Sequence, residues 1–298
     1  MLARKGGITM MRRSFAALFL ATLTSGMTMA EDTPTYLDVF VARVKPEKRA
    51  EFDSINKKIA ALNRRNKGDF WLASESVYGE NNVVTFVSLR NSLGDAQKGT
   101  ELFIGALAKP GGMASAEKIF QDFNNTLVSS RSELRRRRPD LGSNASSSLA
   151  ETNAVVGKAR FLYTVAVHVR PGRGSEVEDL IKMVNEASAT AGSKANWFVS
   201  QAAIGGQGSI YYITTLVGSL AEIDSVPPLS KTLGADGYKQ FMKSIAENTF
   251  NTEFTISRFL PELSNPPEEI AAVDPSFWNP KPAPMKKQAE ASKESAKK

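Results

Sequence analysis

Residues 37–52 read LDVFVARVKPEKRAEF, and residues 162–177 read LYTVAVHVRPGRGSEV. Each stretch begins as a largely apolar strand, reaches a basic residue and a proline, and continues as a helix with a glutamate near its start. A proline is tolerated in the first turn of a helix, so it marks the point where the strand ends and the helix begins. One strand-and-helix pattern therefore occurs twice in this chain.

The two copies correspond further along the chain. Trp71–Ser74 is followed by a glycine turn, as is Trp197–Ser200, and Pro139–Leu141 ends the first copy as Pro261–Leu263 ends the second. Whole units align in the same order, and each predicts strand, helix, strand, strand, helix, strand. That order is the split β-α-β plan of ferredoxin-like folds.

The strand Leu37–Val44 is apolar on both of its faces, which predicts burial on both sides. A ferredoxin-like unit covers one face of its sheet with helices, so the other face needs a second partner. We therefore predict an α+β fold in which two tandem ferredoxin-like (β-α-β-β-α-β) repeats pack sheet to sheet, as a pseudo-dimeric α+β barrel.

This arrangement resembles the dimeric α+β barrel superfamily. The Val-x-Val-x-Pro start, the helix that follows it and the tryptophan at the second strand look like the NIPSNAP and antibiotic-biosynthesis-monooxygenase branches. The resemblance covers residues 36–141 and 161–263. It implies a fold shared by cofactor-free oxygenases, haem-handling proteins and members without known activity, so it leaves the function open.

The sequence divides into five predicted segments. They are a signal peptide (1–30), repeat 1 (31–141), a Ser/Asn/Ala-rich linker (142–160), repeat 2 (161–265) and a Pro/Lys-rich tail (266–298). We expect the tail to be disordered, with Phe277 and Trp278 attaching its beginning to the body.

The first 30 residues have the composition of an export signal. Arg12-Arg13 precede the apolar run Phe15–Leu23, and Thr28-Met29-Ala30 ends in small residues. The apolar run is too short to span a bilayer. The chain has no cysteine, so disulfides are excluded. We expect a soluble exported protein, periplasmic or secreted, whose monomeric or homo-oligomeric state stays open.

The positive charge of the chain lies mainly at its two ends. The formal net charge is +7, of which residues 1–30 carry +4 and the residues from Lys281 onward carry six lysines against two glutamates, again +4. Residues 31–280 therefore carry −1. A body of this charge does not favour nucleic-acid binding.

Arg135–Arg138 are the exception within the body. In a strand they alternate between the two faces and do not form one patch. We interpret them as a charged edge strand that resists pairing with other chains. Docking of an anion or a partner is the alternative.

Three residues are candidates for catalysis: His168, Arg43 and Glu75. His168 is the only histidine, it takes the place of Arg43 of the first copy, and both are expected at the space between the sheets or its mouth. A structural, hydrogen-bonded histidine is the preferred interpretation. Glu75 lies in mid-strand, where a partly apolar site would make a carboxylate a base. A water-facing carboxylate is an equal alternative.

Four residues are candidates for ligand binding: Trp71, Trp197, Gln201 and Tyr212. The two tryptophans occupy equivalent positions, where they would grip a flat ligand or, more commonly, fill the core. Gln201 takes the place of Glu75. Tyr211 and Tyr212 lie on opposite faces of one strand, so one of them should approach the same region.

Metal and cofactor chemistry find little support in the sequence. One histidine and no cysteine leave only carboxylates, without ligand-like spacing. No nucleophile elbow or dinucleotide-binding glycine motif occurs, and Gly205-Gly206-Gln207-Gly208 reads as a hairpin turn. Haem is disfavoured because the haem proteins of this superfamily carry their ligand on a helix, and His168 is in a strand. We therefore expect no metal and no cofactor.

Three functions are compatible with this sequence. The preferred one is an exported protein that binds a small, partly apolar molecule between its two sheets. The second is a cofactor-independent monooxygenase or lyase, with Glu75 or His168 as base and Arg43 as oxyanion stabiliser. The third is an interaction module of the cell envelope that docks through Arg135–Arg138 or the lysine-rich tail. The sequence leaves open whether the chain is an enzyme.

Overall fold

The computed structural model describes residues 35–143, 148–193 and 195–279. The predicted signal peptide and the lysine-rich part of the tail, residues 280–298, lie outside the described residues.

The described residues of the first half contain four strands and three α-helices. The strands are β1 (Tyr36–Val44), β2 (Leu72–Tyr78), β3 (Val83–Arg90) and β4 (Leu127–Arg137), and the helices are α1 (Arg49–Asn66), α2 (Leu93–Ala108) and α3 (Gly112–Asn125). A further helix, α4 (Leu149–Lys158), lies between the halves. The sequence predicts a single helix between β3 and β4, whereas the structure has the pair α2 and α3.

The second half also contains four strands, and helices continue beyond the last of them. The strands are β5 (Phe161–Val169), β6 (Trp197–Ile204), β7 (Ser209–Val217) and β8 (Thr249–Phe259). The helices are α5 (Gly174–Thr190), α6 (Leu220–Asp224), α7 (Leu229–Asn248), α8 (Glu268–Ala271) and α9 (Pro275–Trp278).

All eight strands form one closed antiparallel barrel. Their order around it is β1-β3-β2-β8-β5-β7-β6-β4. Two seams join the halves: β2 pairs with β8, with Glu75 opposite Arg258, and β4 pairs with β6, with Arg136 opposite Gln201. The predicted α+β class is confirmed. The prediction has the sheets of the two halves packed face to face. In the structure they enclose an interior and also pair with each other at both edges.

Closure of the barrel corrects the interpretation of Arg135–Arg138. Strand β4, which contains Arg135 to Arg137, pairs with β1 on one side and β6 on the other. A closed barrel has no free edge to protect. The alternation of the arginines therefore places them on the two faces of the barrel wall, and the charges do not serve as an edge defence.

Alternation along each strand separates the barrel interior from the helix layer. In β1, Val39 and Val41 face the interior, whereas Ala42 and Val44 pack with Phe52 of α1. Both faces of β1 are thus apolar because both are buried, as its sequence predicts. In β5, the same alternation places Val167 and Val169 on the outer face, where they pack against α5.

The helix layer is much better packed on the first half than on the second. Around the first half, α1, α2 and α3 bury large side chains such as Phe52, Leu107 and Ile119. Around the second half, α5 buries Val177, Leu180 and Ile181, whereas only Asn248 is buried in α7. Stability from helix packing is therefore concentrated in the first half.

Helices α4, α8 and α9 cover the end of the barrel at which β1 and β5 begin, named here the covered end. Trp278 of α9 is fully buried, its indole N–H donates to the Gly157 carbonyl (2.9 Å), and its ring contacts Phe259. Only a glycine fits at 157, since a Cβ there would lie 2.4 Å from the Cβ of Val273. The linker segment thus contains a structural helix, and residues 266–279 are folded on the body.

Within the described ranges, none of the helices combines the length and the apolar character needed to cross a bilayer.

We expect Trp278→Ala to lower the free energy of unfolding by about 3–5 kcal/mol, because it leaves a large cavity and an unpaired Gly157 carbonyl. Urea denaturation measures the change. Met242→Ala, at an exposed position of α7, is the control and should change stability by less than about 0.5 kcal/mol. Equal stability of Trp278→Ala and the wild type would show that α9 does not hold the covered end.

Candidate functional site

A cavity of about 810 Å³ occupies the barrel interior and extends beyond the covered end to Lys98, Gly99 and Leu102 of α2. Inward-facing residues from all eight strands line it. At the covered end the lining includes Asn153 and Val156 of α4 and Ile270 of α8, and at the opposite end it includes Gly79 and Glu80 of the β2–β3 turn. We name that opposite end, at which β1 and β5 finish, the mouth.

The cavity wall is partly apolar and partly hydroxylic. Aliphatic and aromatic side chains line it from several strands: Leu37, Val39, Val41, Val87, Leu89, Leu162, Leu216 and Phe259. Serines and threonines form a second group: Ser74, Ser76, Thr85, Thr164, Ser200, Thr214, Thr255 and Ser257. Such a wall suits a guest with both apolar and polar parts.

Two polar atoms at this wall are buried without a hydrogen-bond partner in the described part of the chain. They are Ser76 Oγ on β2 and Asn153 Oδ1 on α4, and both residues line the cavity. Buried polar atoms are normally satisfied by protein, water or ligand. Their position indicates that polar atoms of a guest or of water complete the site.

Strand β4 supplies a charged section of the wall. Arg131, Glu133, Arg135 and Arg137 alternate with outward-facing residues, and the three arginines line the cavity. Glu133, Arg131, Arg135 and Tyr212 form a cluster that we name the hub. At its centre, the Glu133 side chain is 3% exposed and accepts hydrogen bonds from Arg131 Nε (2.6 Å) and Arg135 Nε (2.9 Å).

Tyr212 of β7 completes the hub. Its hydroxyl donates to Glu133 Oε2 (3.1 Å), and the Arg135 guanidinium lies 3.5 Å above the centroid of its ring. This contact is a cation–π interaction in a buried setting. Tyr212 lines the cavity, whereas Tyr211, on the other face of β7, is the tyrosine that contacts Gln201.

Burial and charge act in opposite directions on the hub. Burial alone would raise the pKa of Glu133, but Arg135 and Arg131 outweigh it and hold that pKa below its ordinary value. Burial, together with the Glu133 carboxylate, raises the pKa of Tyr212. At neutral pH the hub is therefore an ionised carboxylate with a neutral phenol.

Arg43 and His168 lie at the mouth, at the ends of β1 and β5. Arg43 forms an ion pair with Glu80, and His168 Nε2 lies 3.2 Å from Glu253 Oε1. The His168 ring also packs on Phe250, with 5.5 Å between centroids. Arg43 and His168 therefore each contact a carboxylate at the mouth. Glu75, the third catalytic candidate, does not lie there.

Glu75 and Gln201 face the helix layer. Glu75 accepts hydrogen bonds from Arg49 NH2 and Arg258 Nε, both at 2.5 Å. Gln201 donates to the Tyr211 hydroxyl (3.1 Å). Although burial alone would raise the pKa of Glu75, its two arginines lower it. The expected base is thus an ion-paired carboxylate outside the cavity, and Gln201 does not line the cavity either.

The two tryptophans do not form a facing pair across the cavity. Trp71 borders the cavity, but its indole N–H donates to the Leu263 carbonyl (2.8 Å) and its ring packs edge-on against Phe103 of α2. Trp197 shares the outward face of β6 with Val199, which packs in the helix-side core. Period-two alternation correctly predicts that Trp71, Ala73 and Glu75 share one face of the strand. That face is the outer face of the barrel wall.

Sequence reasoning misses Arg131 and Glu133 of β4, and it interprets Arg135 and Arg137 as part of an edge strand, with docking of an anion or a partner as the alternative. Their signal is the spacing Arg131-x-Glu133-x-Arg135-x-Arg137. Charges at every second position of a strand that is paired along both of its edges mark a charged interior section. Recognising this requires knowing that β4 has two neighbours.

Within the residues that the structure describes, no three or more His, Cys, Asp or Glu side chains come together as a possible metal site. The expectation that the chain uses no cofactor stays a prediction.

No model of a known protein family matches the chain, and no curated protein matches its sequence. Among solved structures it is similar to an anthrone oxidase-like protein (11% identity over 77% of this chain and 92% of that chain, TM-score 0.49). It is also similar to a proposed monooxygenase from Lactobacillus acidophilus NCFM (10% identity, 76% and 94%, TM-score 0.46). A third similar structure is chlorite dismutase from Candidatus Nitrospira defluvii (9% identity, 81% and 95%, TM-score 0.43). Similarity at these values carries no argument about activity or cofactor.

Acidification should remove the stability that Glu133 supplies. Because its pKa in the folded state lies below the ordinary 4.5, its contribution is present above that value and is lost as the pH falls through the lowered pKa. The free energy of unfolding should therefore fall more steeply between about pH 5 and pH 3 in the wild type than in Glu133→Gln.

Urea denaturation at each pH measures these slopes. Glu117→Gln, an exposed change on α3, is the control and should keep the wild-type slope. Parallel slopes for the wild type and Glu133→Gln would contradict the ion-paired hub.

Proposed function

We propose that this protein binds a small, partly apolar molecule inside its barrel. The observation that carries the proposal is the cavity of about 810 Å³, whose wall combines aliphatic side chains with the unpartnered Ser76 Oγ and Asn153 Oδ1. Its volume falls within the range of about 300–1,000 Å³ of small-molecule sites.

The side chains inside the barrel explain why this space exists. An eight-stranded barrel is just wide enough for its side chains to fill it or for one small ligand. Here β2 and β8 contribute mainly small groups, namely Ser74, Ser76, Thr255 and Ser257, and β5 contributes Thr164 and Ala166. Larger aliphatic residues at these positions would close the interior, so the choice of small hydroxylic residues leaves room for a guest.

The geometry supports binding more strongly than proton transfer. Of the three catalytic candidates, Glu75 lies in the helix layer, Arg43 is ion-paired with Glu80 at the mouth, and His168 contacts Glu253 there. The interior carboxylate of Glu133 is ionised but occupied by two arginines and a tyrosine, which makes it a weak base. A cofactor-independent oxygenase or lyase is the second hypothesis, and it requires His168 at the mouth as its base, because Glu75 lies outside the cavity.

We further propose that the barrel arose by tandem duplication of a ferredoxin-like unit. The strand order is β4-β1-β3-β2 in one half and β8-β5-β7-β6 in the other, so equivalent strands take equivalent places. Assignment to the NIPSNAP or antibiotic-biosynthesis-monooxygenase branches stays a prediction of the sequence resemblance.

Export to the periplasm or medium is part of the same proposal and is supported by the composition of residues 1–30. Docking to an envelope partner through Arg135–Arg138 receives no support, because Arg135 and Arg137 face the barrel interior and Arg138 binds Glu178 and Asp140. A role for the lysine-rich tail lies outside the described residues.

The uncharged dye N-phenyl-1-naphthylamine should bind the protein that begins at Glu31, with an increase in fluorescence as it enters the apolar interior. Ala166→Trp places a large ring in the cavity and should weaken dye binding by about tenfold or more, since an overfilled site excludes the guest. Fluorescence titration measures both affinities.

Ala246→Trp, on an exposed turn of α7, adds the same ring outside the barrel and should keep the wild-type affinity. Circular dichroism and the melting temperature verify that both variants are folded. Absence of dye binding to the wild type, or equal binding by Ala166→Trp, would overturn the proposal.

Glu75→Gln separates the two hypotheses that use this residue. It should leave dye affinity unchanged, because Glu75 lies outside the cavity, and lower stability by about 2 kcal/mol, because Arg49 and Arg258 lose a charged acceptor. Fluorescence titration and urea denaturation measure the two effects. A change in affinity without a change in stability would place Glu75 at the binding site instead.

A further inference from the structure

We propose that the ligand carries a carboxylate, and that the terminal nitrogens of Arg135 bind it inside the barrel. This inference rests on the proposed binding function and names the chemical class of the ligand. It concerns β4, which contains none of the seven residues predicted from the sequence for catalysis or ligand binding.

Arg135 is oriented by contacts that do not use its terminal nitrogens. Its Nε donates to Glu133 Oε2 (2.9 Å), and the face of its guanidinium stacks on Tyr212. Its side chain is 14% exposed and lines the cavity. In the described part of the chain neither terminal nitrogen donates a hydrogen bond, so the outer edge of the guanidinium is available to a guest.

The fixed geometry of this arginine matches a carboxylate. A guanidinium edge offers two parallel N–H donors at the separation of two carboxylate oxygens, and such bidentate pairs are strong in a buried setting. Because the stacking on Tyr212 and the Glu133 bond already hold the side chain, little rotamer freedom is lost on binding. An arginine held in this way is a preorganised acceptor site for an anion.

The local charge also favours an anion. The interior face of β4 carries Arg131, Arg135 and Arg137 against the single carboxylate of Glu133. The acidic residues at the rim are engaged elsewhere, since Glu80 pairs with Arg43 and Glu253 contacts His168. Burial lowers the pKa of Arg137, but a guanidinium stays protonated at neutral pH. The β4 wall is therefore cationic.

The surroundings of Arg135 provide a place for the rest of the ligand. Leu37 of β1 lies opposite Arg135 in the β1–β4 ladder, and Val39 lies opposite Glu133. Both line the cavity with Val41 and Val87. A hydrocarbon or ring attached to the carboxylate would thus contact this aliphatic wall while the carboxylate meets Arg135.

Displacement of N-phenyl-1-naphthylamine by two matched amphiphiles tests the inference. Dodecanoate and 1-dodecanol have the same alkyl chain, and at pH 8 only the first is charged. We expect dodecanoate to displace the dye from the wild type at an approximately tenfold lower concentration than 1-dodecanol, as one bidentate charged contact would give.

Arg135→Gln should reduce this preference to about twofold or less; the preference is the ratio of the two displacing concentrations, so it does not depend on the dye affinity of the variant. Arg135→Lys keeps the charge without the paired donors and should give an intermediate preference. Arg136→Gln removes the same charge from the neighbouring exposed residue, which is absent from the cavity lining, and should keep the full preference.

The outcomes separate this inference from the binding function. If the dye binds but dodecanoate and 1-dodecanol displace it equally, the carboxylate site is wrong and the binding function stands. If Arg136→Gln reduces the preference as much as Arg135→Gln, the effect is one of general charge and the assignment to Arg135 fails. If Arg135→Gln does not fold, the wild-type preference and Arg135→Lys decide the result.

Discussion

The structure depends on the backbone pairing at two seams, β2 with β8 and β4 with β6. Without these seams each half would present two strand edges with unpaired N–H and C=O groups, together with an apolar sheet face. Closure of the barrel pairs the N–H and C=O groups of the strand edges. It also turns the sheet faces away from solvent, toward a shared interior. The cavity is thus a direct result of edge pairing, and its chemistry is set by every second residue of eight strands.

The two faces of the barrel wall have opposite characters. The outer face receives the helices and contains dense apolar clusters, with ion pairs such as Glu75 with Arg49 and Arg258. The inner face contains small hydroxylic and aliphatic residues and one charged strand. Among the buried side-chain polar atoms of the described residues, the two without a partner are Ser76 Oγ and Asn153 Oδ1, and both border the interior. This difference supports the proposed binding site inside the barrel.

Much of the fold follows from the sequence, because strand and helix periods are local properties. The apolar character of both faces of Leu37–Val44, the proline after it and the two equivalent tryptophans predict the element order and the strands that are buried on both faces. The face assignment of Glu75 and Gln201 could not be predicted, since period-two alternation says which residues share a face but not which face is inside. The edge-strand interpretation of Arg135–Arg138 fails for a related reason, namely that strand neighbours are set by pairing between distant residues. Helix α4 has a local signal that could have found it, because Ser148 and Glu151 form the start of a capping box.

Both seams join the first half of the chain to the second, and this has a consequence for association. Two chains that exchanged their second halves would form every strand pair of the barrel again, with only the path of residues 142–160 altered. The hydrogen-bond energy of such a domain-swapped dimer equals that of two monomers, so concentration decides between them. Because β2 and β8 are separated by about 180 residues, as Glu75 and Arg258 are, the β2–β8 seam closes late in folding. Crowded refolding therefore favours exchange between chains over closure within one.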